Sequence, residues 1–178
     1  MDAPDRTDPP LAADEATTLR AFLDYHRDTL RWKVSGLDQE QLARTLAPST
    51  MTLGGMMKHL ALVENWWFEV VLLGRPDMPP FDVVDWDADP DWEWHSAAED
   101  SPDEVRALFD RAVAGADAAI EEALATPAGL GTLSVKESRR EKKMFTLRWI
   151  LLHMIEEYAR HNGHADLIRE SIDGVTGE

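Results

Sequence analysis

The chain contains no cysteine. Disulfides, thiolate metal sites and a cysteine nucleophile are therefore excluded. No run of eighteen apolar residues occurs in its 178 positions, so nothing reads as a membrane span. The opening MDAPDRTDPPLAAD is acidic and holds prolines, without the basic start and apolar stretch of a secretory signal. A flexible acidic tail is expected over residues 1–13, and the missing signal points to the cytoplasm. Basic side chains are few: 18 Lys and Arg stand against 34 Asp and Glu, a net charge of −16. A field of that sign repels phosphate backbones, so nucleic acid is not an expected partner. The basic cluster KESRREKK, Lys136 to Lys143, interleaves its five cations with two glutamates and reads as a solvated connector. Gly54-Gly55 lacks the Lys-Ser/Thr that would make a phosphate loop.

What remains is helical patterning over one domain, residues 14–178. The first helix follows Asp14 as N-cap and stops at Gly36, with Leu19, Phe22, Leu23, Leu30 and Val34 as its buried stripe. A short segment over DQEQLARTLAP comes next, and a second helix spans about Thr52 to Leu73. Residues 75–100 hold four prolines and Trp86, Trp92 and Trp94. So long a loop is functional or disordered, and three tryptophans argue against disorder. It is expected to dock on the helices and roof a pocket. Ser101-Pro102-Asp103-Glu104 spells a capping box with proline at the first helical position. The third helix runs from there to Pro127, and the connection after it has room for a short extended piece. The fourth runs from near Thr146 to about Ile172. The expected class is all-α, a four-helix bundle with long connections after the second and third helices.

The fourth helix carries the chemistry. With His153 set at zero and about 100° per residue, Glu157 falls near 40°, His161 near 80° and His164 near 20°. Ile150 and Ile168 fall near 60° and Met154 near 100°, which predicts a polar stripe along the middle of an apolar face. A buried carboxylate needs a charged partner or a metal. Residues four apart stack on a helix, so Glu157 and His161 can both reach one ion. A hydrogen-bonded polar layer in the core is the alternative reading. The second helix offers His59, also within an apolar face beside Met56, Val63 and Val70. His26 reads as an edge residue. His95, in the tryptophan loop, reads as a fourth ligand, a substrate contact or a plain loop histidine. H-E-x-x-H is absent, and the paired Glu-x-x-His of a di-iron bundle does not occur.

Two stretches, GLDQEQLARTLAPSTMTLGGMMKHLALVENWWF and FTLRWILLHMIEEYARHNGHADLIRESIDG, resemble the DinB/YfiT-like superfamily of metal-binding four-helix bundles. The nearer likeness is to a mini-circle-protein-like branch related to mycothiol-dependent maleylpyruvate isomerases. The resemblance covers about residues 16 to 174 and implies an up-down-down-up bundle. It implies metal ligands His59, Glu157 and His161, with Glu157 standing where most of the superfamily has histidine. His153, His164, Arg160 and Trp67 are then expected in the surrounding shell or pocket wall. Zn is the expected ion for two histidines and a carboxylate, with Ni, Mn or Fe as alternatives. The implied cosubstrate is a low-molecular-weight thiol such as mycothiol, activated for S-transfer or isomerisation of a small electrophile. A metal- or small-molecule-binding protein without turnover is the alternative. The superfamily and apolar residues on the first and third helices also allow a homodimer.

Overall fold

Side-chain caps set the ends of the long helices. In the computed structural model, which describes residues 6–176, α1 spans Glu15–Val34. The Asp14 carboxylate accepts the Thr17 N–H at 3.0 Å. Of the expected tail, residues 1–5 lie outside the described residues, while Arg6 stacks on Tyr25 and Trp32. The buried face of α1 includes Leu23, Leu30 and Val34, but Phe22 is 44 % exposed. Phe22 projects roughly 100° from Leu23, off the core face, and Arg27, at about 40°, takes the inward place.

A capping box between Asp38 and Gln41 starts the short α2, Gln39–Leu42. Thr52 caps α3, Leu53–Glu64, which continues directly into a π-helix, Asn65–Leu72. The following segment docks through buried Phe81 in a 3₁₀ turn, Phe81–Val83, and folds a short helix, α4, Trp92–Ser96. Lys58 on α3 holds its end by an ion pair to Asp100 at 2.6 Å, over the Trp92 ring. Ser101 and Glu104 form the expected capping box of α5, Pro102–Leu124. A 3₁₀ turn over Gly129–Gly131 leads to an antiparallel pair, β1 (Leu133–Glu137) and β2 (Met144–Thr146), registered Leu133 to Thr146 and Glu137 to Met144. The basic cluster is thus mostly the turn of a β-hairpin. Thr146 caps α6, Leu147–Asp173, and Gly174 closes it with φ +77°, a left-handed cap suited to glycine.

The protein is therefore mostly helical with one small two-stranded sheet. α1 packs on α6, and α3 packs on both α5 and α6. Between them runs a core that includes Leu30, Met56, Leu60, Phe109, Ile150 and Met154. This core also encloses a charged knot. Arg27 on α1 donates two bonds of 2.7 Å to Glu64 on α3, whose Oε1 also accepts Tyr158 Oη of α6 at 2.7 Å. Arg27 reaches Asp117 of α5 as well, at 2.8 Å. Removing one partner from such a pair costs about 3–5 kcal/mol, because the other charge stays buried alone. The knot therefore locks together all four long helices. Of the large exposed apolar side chains, Phe22 is the one on α1, and none of those described lies on α5.

Candidate metal centre

The α3–α6 seam brings His59, Glu157 and His161 together. Their donor atoms lie within 4.8 Å of one another. Glu157 Oε1 is 3.3 Å from His161 Nε2 and 3.5 Å from His59 Nε2. An ion with ligand bonds of about 2.1 Å in tetrahedral array sets its donors roughly 3.4 Å apart. The two imidazoles and the carboxylate thus fit one small divalent ion.

On α6 the core face is centred on Leu147, Met154, Tyr158 and Ala165, all fully buried. The stripe of His153, Glu157, His161 and His164 runs along the edge of this face, not its middle. His161 is 10 % exposed, Glu157 19 % and His153 27 %. The expectation of a central stripe placed the apolar face from too few residues; Leu147, Leu151, Tyr158 and Ala165 pull its centre about 60° further round. An edge position leaves the donors open to an incoming molecule.

Electrostatics follow from the geometry. The bond to His161, then that to His59, holds the Glu157 carboxyl far below the ordinary carboxylate range, against the opposing effect of burial. For His59, burial is the largest single influence and depresses its pKa. The bonds to Glu157 and Glu93, with their charges, outweigh it and leave the group raised.

Glu93 is the residue that sequence reasoning missed. It sits on α4, 4 % exposed, with Oε1 2.9 Å from His59 Nδ1. Its Oε2 is buried without a hydrogen-bond partner among the described residues. With Nδ1–H donated to Glu93, His59 turns the Nε2 lone pair toward Glu157, the usual arrangement of a metal-ligating histidine. Beside it, Trp94 stacks on the His59 ring with centroids 4.9 Å apart. The Trp94 ring reaches this place because Gly55, one turn before His59, has no side chain. A Cβ there would meet Trp94 Cε3 at 2.7 Å. In the sequence, only the crowding of Trp92-Glu93-Trp94-His95 hinted at this role.

The remaining candidates lie around the triad. His153 stacks on Trp149 at 5.1 Å and meets Trp67 edge-on at 4.8 Å, forming an aromatic wall one turn before Glu157. His164 lies 5.9 Å from the His161 ring, outside the triad, with its Nδ1 buried and without a hydrogen-bond partner among the described residues. Arg160 is 62 % exposed and pairs with the exposed Glu156. His95 is 66 % exposed and bonds Asp89 at 2.9 Å, and His26 is half-buried where Asn162 donates to its carbonyl.

A mostly helical fold whose seam presents two histidines and a carboxylate defines a helical protein with a candidate mononuclear metal centre. The family described as Mycothiol-S-transferase matches residues 18–174, and the chain belongs to that family, within the DinB-like superfamily. A search of curated proteins finds no match. No described helix is long and apolar enough to cross a membrane.

Proposed function

We propose that the protein is a metal-dependent S-transferase that joins the sulfur of a low-molecular-weight thiol, mycothiol by family, to a small electrophile. The observation that carries this reading is the spacing of the triad, 3.3 and 3.5 Å between Glu157 Oε1 and the two Nε2 atoms. His59, Glu157 and His161 hold a divalent ion, Zn by donor type, and leave part of its coordination open. When bound, the ion supplies positive charge that favours the thiolate form of a coordinating thiol. Glu93 fixes the tautomer and orientation of His59. Trp94 covers one side of the site and keeps water from it. The chain has no cysteine, so the reacting sulfur belongs to the cosubstrate. The four long helices are taken as the up-down-down-up bundle of the superfamily, with the α4 segment as roof.

Elemental analysis of the purified protein, followed by a conjugation assay, tests this. With mycothiol and monochlorobimane, the thiol loses its proton, a sulfur–carbon bond forms and chloride leaves. We expect near one divalent ion per chain and a rate lost on chelation. His59→Ala and Glu157→Ala each lose the ion and the rate, while His164→Ala keeps most of both. An equal rate in metal-free protein overturns the mechanism. Stoichiometric metal without turnover of this or other electrophiles replaces it with sequestration.

A further inference from the structure

A second cleft opens on the same side of α3 as His59. Leu62 and Val63 line it, about one helical turn or roughly 5 Å further along the axis. Trp66 from the π-helix and Trp86 and Pro90 from the roof segment supply the rest of its apolar wall, enclosing about 370 Å³. The roof segment that holds His59 through Glu93 therefore also shapes this cleft.

Its charge is unusual for so acidic a chain. Five of the molecule's 18 cationic side chains fall between Lys136 and Lys143, and the β-hairpin brings Arg139 to line the cleft. Eight of the thirteen arginines pair with a carboxylate, among them Arg20, Arg27, Arg75, Arg148, Arg160 and Arg169. Arg139 lines a cavity and has no acidic partner among the described residues. One carboxylate, Asp77, does line the cleft. Burial raises its pKa, Lys136 opposes that and Asp82 adds to it, so Lys136 serves as its counter-charge. Lys136 itself lies 5.2 Å over the Trp66 ring. A neighbouring cleft against Trp67, Phe145 and Trp149 has Lys143 balanced by Glu141.

We infer that the Trp66–Trp86 cleft binds the second substrate, and that this substrate is a flat apolar or aromatic electrophile carrying a carboxylate that Arg139 receives. The indole faces accept a planar body. A guanidinium presents paired donors to a carboxylate, a match that a neutral amide does not reproduce. With Lys136 offsetting Asp77, the Arg139 guanidinium gives an anion one point of attraction on a molecule of net charge −16. The substrate role rests on the S-transferase reading, but the binding site does not.

The test is binding to the full chain, metal-loaded and chelated, followed by NMR of its seven tryptophan indole N–H signals. The probes are trans-cinnamate and its neutral isostere cinnamamide. We expect saturable shifts of the Trp66 and Trp86 signals in both metal states, with cinnamate bound about tenfold more tightly than the amide. Arg139→Gln, at an exposed hairpin position, should remove that preference and leave cinnamamide binding unchanged. Equal affinities, a preference that survives Arg139→Gln, no saturable shift, or shifts centred on Trp67 and Trp149 would each overturn the proposal. If the protein takes up no divalent ion on reconstitution and still binds cinnamate here, the S-transferase reading fails and the site stands.

Discussion

At the residue scale, the donor atoms of the triad lie within 4.8 Å of one another, and at His59 a proton competes with any metal ion. His59 has its pKa raised above the ordinary 6.5, so a metal ion must displace a proton from it near neutrality. Apparent metal affinity should therefore climb as pH rises through that region, checked by competition with a chromophoric chelator between pH 5.5 and 8.5 (roughly the span over which histidine titrates). The metal-free fold has the opposite dependence. The raised His59 contributes stability in full below 6.5, lost as pH rises through its folded pKa. The depressed Glu157 contributes in full above 4.5, lost only in strong acid. Between those values both contributions are present, and metal-free protein should show there its highest Tm attributable to this pair. Glu93 adds a separate prediction. Glu93→Gln keeps the shape but replaces the charged acceptor of the Nδ1 proton, and should weaken metal binding about 10–100-fold while circular dichroism stays unchanged. Unaltered affinity would reduce Glu93 to a loop anchor.

At the scale of elements, α3 shows why some parts of this protein are legible in its sequence and others are not. The ends of α5 could be read because Ser101, Pro102 and Glu104 are a local code that acts within one turn. His59, Glu157 and His161 could be singled out because helical periodicity and resemblance act on residues already close along a helix or matched as a pattern. Arg27, Glu64 and Tyr158 could not. Their bonds join positions 37 and 94 residues apart, and nothing local marks them. The π-helix over Asn65–Leu72 was equally hidden, since its NWWFEVVL suits an α-helix as well. Gly55 is a middle case: it is plain early in α3, but its reason is Trp94, distant in sequence and in contact with the space a Cβ would fill. Gly55→Ala should raise intrinsic helix propensity yet displace Trp94 from His59, because the Cβ meets a ring carbon at 2.7 Å. The same Cβ meets Oγ1 of the capping Thr52 at 2.9 Å, so the expected result is a lower Tm together with weaker metal binding. Metal binding as tight as the parent's would show that Trp94 is free to move without disturbing the site.

At the scale of the whole molecule, the metal seam and the charged knot join the same elements from two sides. Glu64 and Tyr158 tie α3 to α6 through the core, while the triad ties them at the surface edge. An ion at the triad binds the folded state alone, so occupancy should stabilise the entire fold. With free metal about a hundredfold above its Kd, the gain is about 2.7 kcal/mol, a rise in Tm of roughly 5–10 °C. Calorimetry with and without chelator checks this, and a Tm indifferent to metal would argue that the seam is only a polar layer. The knot explains why the metal-free chain should still fold: the two helices are already held before any ion arrives.

The stacking of Trp94 on His59 carries one more consequence, an optical one. Indole emission is quenched by a protonated imidazole in face contact, and here the ring, 4.9 Å away, is the same one that would give up its proton to a bound ion. Filling the centre thus changes the light given off by Trp94. The protein carries its own colourless gauge of occupancy, readable in solution without a label.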